Sequence, residues 1–248
     1  TTFTGRDCPM KKEKYLSVDV SVLNYDELIK FIINDIEKKQ KSTIIAINPE
    51  KIMKAQNDKV LLDLLNSSTY NIADGIGIIY ASKLKKGSIK KRITGIDSMD
   101  MLCQLSNDKG YKIFMYGAAP VVVKNAQKAL IEKYPQINIV GIIDGYEKNN
   151  DKIINKINES GANILFVALG SPKQEFWINE NKDKLNVNIF QGVGGSFDVF
   201  SGGIKRAPKL MQKLGLEWLY RLIKEPSRIG RQKKLFKFML LLIIGRKK

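Results

Sequence analysis

A chain of 248 residues with 44% hydrophobic content can bury a sizeable core, and its length suits one α/β domain with an appendage. It contains no histidine, which excludes Ser-His-Asp and Cys-His nucleophilic schemes and histidine-ligated zinc or iron, leaving acid–base work to Asp, Glu, Lys, Tyr or a perturbed Cys. The net charge of +17 is uneven: residues 205–248 hold 14 Lys and Arg against two Glu, so +12 sits in the last 44 residues and only +5 in the preceding 204, a distribution that points to an anionic surface met at one end rather than to a uniformly basic nucleic-acid coat.

In chain order, residues 1–13 show no apolar run and no small-residue cleavage pattern, so they are expected to be a mobile leader and not a secretory signal. Leu28, Ile29, Ile32, Ile33 and Ile36 recur at helical spacing and predict a helix over 24–39. The apolar run 42–47 predicts a strand. After Asn48-Pro49-Glu50 a helical stretch carries Ile52, Met53, Leu61, Leu62 and Leu65, then a strand at 70–73 stops at Asp74-Gly75. A helix at 76–84 and a basic loop to Arg92 follow. Cys8 and Cys103 make neither a disulfide framework nor a thiolate metal site; Cys103 lies in an apolar stretch where it packs as a small hydrophobe, and the cytoplasm is the natural compartment.

From Tyr111 the alternation is regular: strands at 112–116, 137–143, 163–169 and 187–190 are separated by helices at 121–134, 150–159 and 173–185. Val123, Ala126, Leu130, Ile131 and Tyr134 are expected on the inner side of the first of these helices. Strands apolar throughout, alternating with helices, imply an α/β fold with a mostly parallel sheet covered on both faces. Ligands in such sheets bind at the carboxyl ends of the strands. Five polar or glycine-rich loops fall at those ends: 48–50, 74–77, 117–119, 170–175 and 192–198.

Each loop has a structural and a chemical reading. Asp74 either caps the following helix or serves as a carboxylate base at a strand end. Tyr80 stands where the third glycine of a dinucleotide fingerprint would be, which weakens an NAD-dependent oxidoreductase. Arg92 is either a solvated loop residue or a guanidinium for the diphosphate of a departing nucleotide. Asn48, Gln174 and Glu175 are turn or cap residues taken singly, but they share the strand ends. Gly192, Gly194 and Gly195 let backbone approach a ligand, with Asp198 placed to accept from ribose hydroxyls; a plain glycine turn is the alternative. No Asp-x-Asp pair lies near a strand end, so no metal is expected on a diphosphate.

The tail from Leu210 carries Leu214, Leu216, Trp218, Leu219, Leu222 and Ile223, breaks at Pro226 and resumes to Ile244. Its longest apolar run, 238–244, is seven residues, against the roughly 20 needed to span a bilayer. A basic helix lying among anionic headgroups fits, each Lys or Arg contributing about 1 kcal/mol there. The alternative is a core helix, or an oligomer-interface helix that would make the protein a homo-oligomer.

Together the strings Asn48-Pro49, Ala73-Asp74-Gly75-x-Gly77, Arg92-x-x-Gly95, Gly117-Ala-Ala119, Ala168-Leu-Gly-x-Pro-Lys-Gln-Glu175, Gly192-Val-Gly-Gly-x-Phe-Asp198, Arg206-Ala-Pro208 and Leu216-Glu-Trp-Leu-x-Arg221 resemble the WecG/TagA/CpsF family, glycosyltransferase family 26, from about Lys14 into the tail. The nearest likeness is to its TagA-type N-acetylmannosaminyltransferases. The resemblance implies a Rossmann-like catalytic domain at 14–203 and a membrane-binding helical appendage at 204–248. It implies an inverting, metal-independent enzyme, without cofactor, at the cytoplasmic membrane face, taking a UDP-sugar donor and a lipid-diphosphate-linked sugar acceptor. Asp74 then matches the catalytic base; Asn48, Arg92, Gly117, Gln174, Gly194, Gly195 and Asp198 match positions around the nucleotide sugar; Arg221, Arg228 and Arg231 match appendage arginines that close over the diphosphate. Ala46 departs from a threonine often found there. A nucleotide- or nucleic-acid-binding regulator remains the alternative from another class, although nucleic acid is not the expected partner.

Overall fold

The structure is a computed structural model and describes residues 10–213, 215–226 and 229–244, without the side chains of Lys213, Arg221, Ile229, Arg231, Gln232 and Lys233. Arg228 lies outside the described residues, as do the side chains of Arg221 and Arg231.

Two short strands, β1 (Lys12–Tyr15) and β2 (Val18–Ser21), pair antiparallel ahead of α1 (Tyr25–Glu37). The hairpin takes in Lys12 and Glu13, which the sequence reading leaves in the leader. Then come β3 (Ser42–Ile47), α2 (Pro49–Ala55), α3 (Lys59–Ser67), β4 (Tyr70–Ala73), α4 (Ile76–Leu84) and α5 (Gly95–Lys109). The regular half supplies β5 (Lys112–Gly117), α6 (Pro120–Lys133), β6 (Asn138–Ile143), α7 (Asn150–Ser160), β7 (Ile164–Ala168), α8 (Lys173–Asn181) and β8 (Ile189–Gly192). Among the described residues four helices follow: α9 (Ser196–Phe200), α10 (Lys209–Lys213), α11 (Glu217–Lys224) and α12 (Ile229–Ile244).

Six strands form one parallel sheet in the order β4-β3-β8-β7-β5-β6. Alternate residues feed opposite faces. Ile44, Tyr70, Ile72, Ile113, Met115, Ile164 and Phe166 join α1, α5 and α6 in one core, whereas Ile45, Ile47 and Ala73 join α2, α3 and α4 on the other side. There Phe114, Tyr116, Leu165 and Val167 meet α7 and α8. Burial on both faces is why these strands read as continuous apolar runs. The expectation of a Rossmann-like α/β fold therefore holds.

Several local readings change. The helical stretch after Asn48 is two helices, because Asn57-Asp58 interrupts it and Asp58 caps α3 through Leu61 N–H at 2.9 Å. On α6, Val123, Ala126 and Leu130 are buried but Ile131 is 45% exposed, since the helix presents only a narrow line to the sheet. The last strand lies two residues later than expected and includes Gln191 and Gly192. Cys103 is buried in the core as expected, and burial pushes its thiol pKa up.

The tail is divided between core and solvent. Phe238 and Leu242 are buried with α2 and α4, while Phe236, Leu240, Ile243 and Ile244, at i, i+4, i+7 and i+8, are exposed on the other face. Among the described residues no helix is long and apolar enough to cross a membrane.

Candidate active site

Because all six strands are parallel, their carboxyl ends share one rim, and the five expected loops lie along it. The order brings Asp74, Asn48, the 192–198 loop, the 170–175 loop and Gly117 side by side. β5 leads outward to β6 while β7 leads the opposite way to β8, so the crevice between β5 and β7 is a topological switch point.

Gly117 lines that crevice. Its φ is +113°, and a Cβ placed there would lie 2.5 Å from the Ala168 carbonyl oxygen. A Gly117→Ala variant is therefore expected to lose at least about 2 kcal/mol from the strained φ and the backbone collision, measurable as a fall of roughly 4–8 °C in Tm for a chain of this size.

Asp74 follows β4, its N–H donating to the Ile47 carbonyl at 2.8 Å. Gly75 rather than Asp74 occupies the N-cap of α4. The carboxylate instead faces the start of α5, with Oδ2 4.0 Å from the position a Cβ on Gly95 would take; Ala46 Cβ is 3.3 Å from the same point. The residue that replaces the expected threonine thus flanks the same spot as Asp74.

Beside it stands a charged network that joins core to tail. Arg92 donates from one Nη to Glu217 at 2.8 Å and to the Gln212 carbonyl at 2.7 Å. Glu217 also receives Arg206 Nε at 3.3 Å, and Arg206 Nη1 reaches Asp97 at 2.6 Å. Thr94 caps α5 and donates its hydroxyl to Asp97 at 2.6 Å. Burial pushes Asp97 up, but the bonds from Arg206 and Thr94 and the nearby arginine charges outweigh it and hold its carboxyl below the usual value. Burial, then the charge of Asp97, raises Tyr25 to about 12, and Asp74 adds to that shift, so the phenol stays protonated next to both carboxylates. Tyr25, Asp97, Arg206 and Glu217 were not singled out from sequence as site residues.

The other expected residues divide by role. Asn48 caps α2, accepting from Lys51 N–H at 2.8 Å. Gln174 is 3% exposed; its Oε1 accepts from Gly194 N–H at 2.9 Å and its Nε2 donates to Glu175 at 3.2 Å, so it holds the glycine loop. Glu175 pairs with Lys51 at 2.7 Å, both buried. Asp198, on α9, is partly exposed, and Gly195 lies next to its carboxylate. Among the described residues no group of three or more Cys, Asp or Glu is placed to hold a metal ion. The tail closes on this rim: Gly215 packs on Ile76, and Leu235 packs against Gly77.

The family model described as glycosyl transferase WecG/TagA/CpsF family matches residues 13–248 of this chain.

Proposed function

This chain belongs to the WecG/TagA/CpsF family of glycosyltransferases, and from that premise we propose that it transfers N-acetylmannosamine from UDP to the 4-hydroxyl of undecaprenyl-diphosphate-linked N-acetylglucosamine. The product would feed teichoic acid or a related cell-surface polymer, built at the cytoplasmic face of the membrane. The observation that carries the reading is the carboxylate of Asp74 on the rim, facing the start of α5, where Asp97 holds one of the two arginines that the tail's Glu217 bridges.

In this mechanism Asp74 takes the proton of the acceptor hydroxyl as its oxygen attacks the anomeric carbon from the face opposite UDP. The new C–O bond forms as the bond to the β-phosphate oxygen breaks, its electron pair leaving with UDP, and the sugar inverts. Arginines meet the charge on the leaving diphosphate without a metal: Arg92 from the core, with Arg221, Arg228 and Arg231 from the tail. In this conformation Glu217 occupies Arg92, so the diphosphate must share or displace it. The exposed face of α12, with Lys237 among its apolar residues, supports membrane docking.

Presenting one lipid acceptor with UDP-N-acetylmannosamine, UDP-glucose and UDP-N-acetylmannosaminuronic acid tests the donor. The first is expected to exceed UDP-glucose by at least about 100-fold in kcat/KM, because a site built to hydrogen-bond the acetamido group discriminates strongly against its absence, and to exceed the uronic acid donor, whose C6 carboxylate replaces a hydroxyl. Faster turnover of either other sugar would reassign the donor.

A further inference from the structure

We propose that the β1–β2 hairpin and the end of α4 form a second anionic-phospholipid surface, separate from the tail in sequence but continuous with it in space. This rests on the reading that the enzyme works on a membrane. The tail holds most of the net charge, yet the fold gathers a further set of cations beside it. Lys11, Lys12 and Lys14 come from the hairpin, and Lys83, Lys85, Lys86, Lys90 and Lys91 from the end of α4 and the loop after it; all are exposed.

The hairpin carries two acids, one turned inward and one beside Lys14, and the segment from Lys83 to Lys91 carries none. Glu13 is turned inward and accepts from the hydroxyls of Tyr15 and Ser82 and from the N–H groups of Ser88 and Ile89. Gly87 leaves room for that carboxylate, since a Cβ there would run into it. Asp19 lies 3.6 Å from Lys14. The two segments are tied together: Lys85 Nζ donates to the Lys14 carbonyl at 3.3 Å and Lys11 Nζ to Ser88 Oγ at 2.8 Å. The lysines therefore stand on a fixed platform.

Between this platform and α12 lies a groove of about 380 Å³, lined by Lys14, Leu16, Ser17, Lys85, Leu241 and Leu242. Leu16 and Leu241, both only partly buried, give it an apolar side over the buried Leu242, and its lysines give a cationic rim, which is the complement of a phospholipid: phosphate at the ammonium groups, the first carbons of an acyl chain on the two leucines.

The test uses the full chain and sedimentation with vesicles of phosphatidylcholine alone or mixed with phosphatidylglycerol, at physiological salt. Wild type should bind the mixed vesicles and scarcely bind the neutral ones. Lys14→Glu/Lys85→Glu should weaken binding at least roughly 30-fold, given the contribution of each lysine near an anionic surface. Lys124→Glu/Lys128→Glu on α6, at the opposite edge of the sheet, makes the same change in net charge and should stay within about 3-fold of wild type. Equal binding by the two double variants would overturn the hairpin surface while leaving tail docking intact. Failure of wild type to bind mixed vesicles would overturn the membrane reading itself, and with it this surface. Loss in Phe236→Ser/Leu240→Ser with Lys14→Glu/Lys85→Glu unaffected would assign docking to the tail alone.

Discussion

Replacing Asp74 with Asn is expected to lower turnover by about 10²–10⁴-fold, the range a positioned general base contributes, with the fold and donor binding preserved. Asn has the shape of Asp and can hold a hydroxyl by hydrogen bond, but it cannot take its proton. With no histidine in the chain, no imidazole can substitute. Gly75, not Asp74, is the N-cap of α4, and Asn keeps the volume of Asp, so Tm should move little. Turnover within 10-fold of wild type would remove Asp74 from the base role, and a large drop in Tm would make its part structural.

The second large effect lies in stability. Lys51→Met leaves Glu175 as a buried carboxylate without its cation, and Glu175 Oε2 already has no hydrogen-bond partner among the described residues. Breaking one side of a buried pair costs about 3–5 kcal/mol, or roughly 10 °C in Tm here. The pair joins α2, capped by Asn48, to α8, where Gln174 holds the 194 loop. Donor binding should therefore weaken along with stability. The double variant Lys51→Met/Glu175→Met removes both charges and should recover most of the stability, because apolar replacement of a buried pair is often neutral. Thermal melts of the single and double variants check this; a double variant no more stable than the single one would contradict it.

The sheet and its rim were legible because strands buried on both faces leave unbroken apolar runs, and parallel strands put every following loop on one edge. The hairpin was not. Its strands have only four residues each, the first of them Lys-Glu-Lys-Tyr with alternating charge, and its turn uses Leu16 and Ser17 at φ 45° and 71°, where the recognisable signal would be Asn-Gly. The signal for α5 was present in Thr94 as a cap and in Met99, Leu102, Cys103 and Ser106 at helical spacing, all buried. Arg92 was read among its basic neighbours, but its partner Glu217 is 125 positions away. Arg206 was visible within a motif, yet its bond to Asp97 depends on how the tail folds back over the rim. Pairings of that kind leave no local pattern to read.

The central claim is that this site moves a sugar onto a lipid. The most direct measurement follows labelled UDP-N-acetylmannosamine, with the full chain on phosphatidylglycerol-containing vesicles, into the organic phase in the presence and absence of the lipid acceptor. Label should enter the lipid only with acceptor, with one UDP released per sugar transferred, and neither should occur in Asp74→Asn. Label that remains in water, or UDP release that proceeds equally without acceptor, would contradict it.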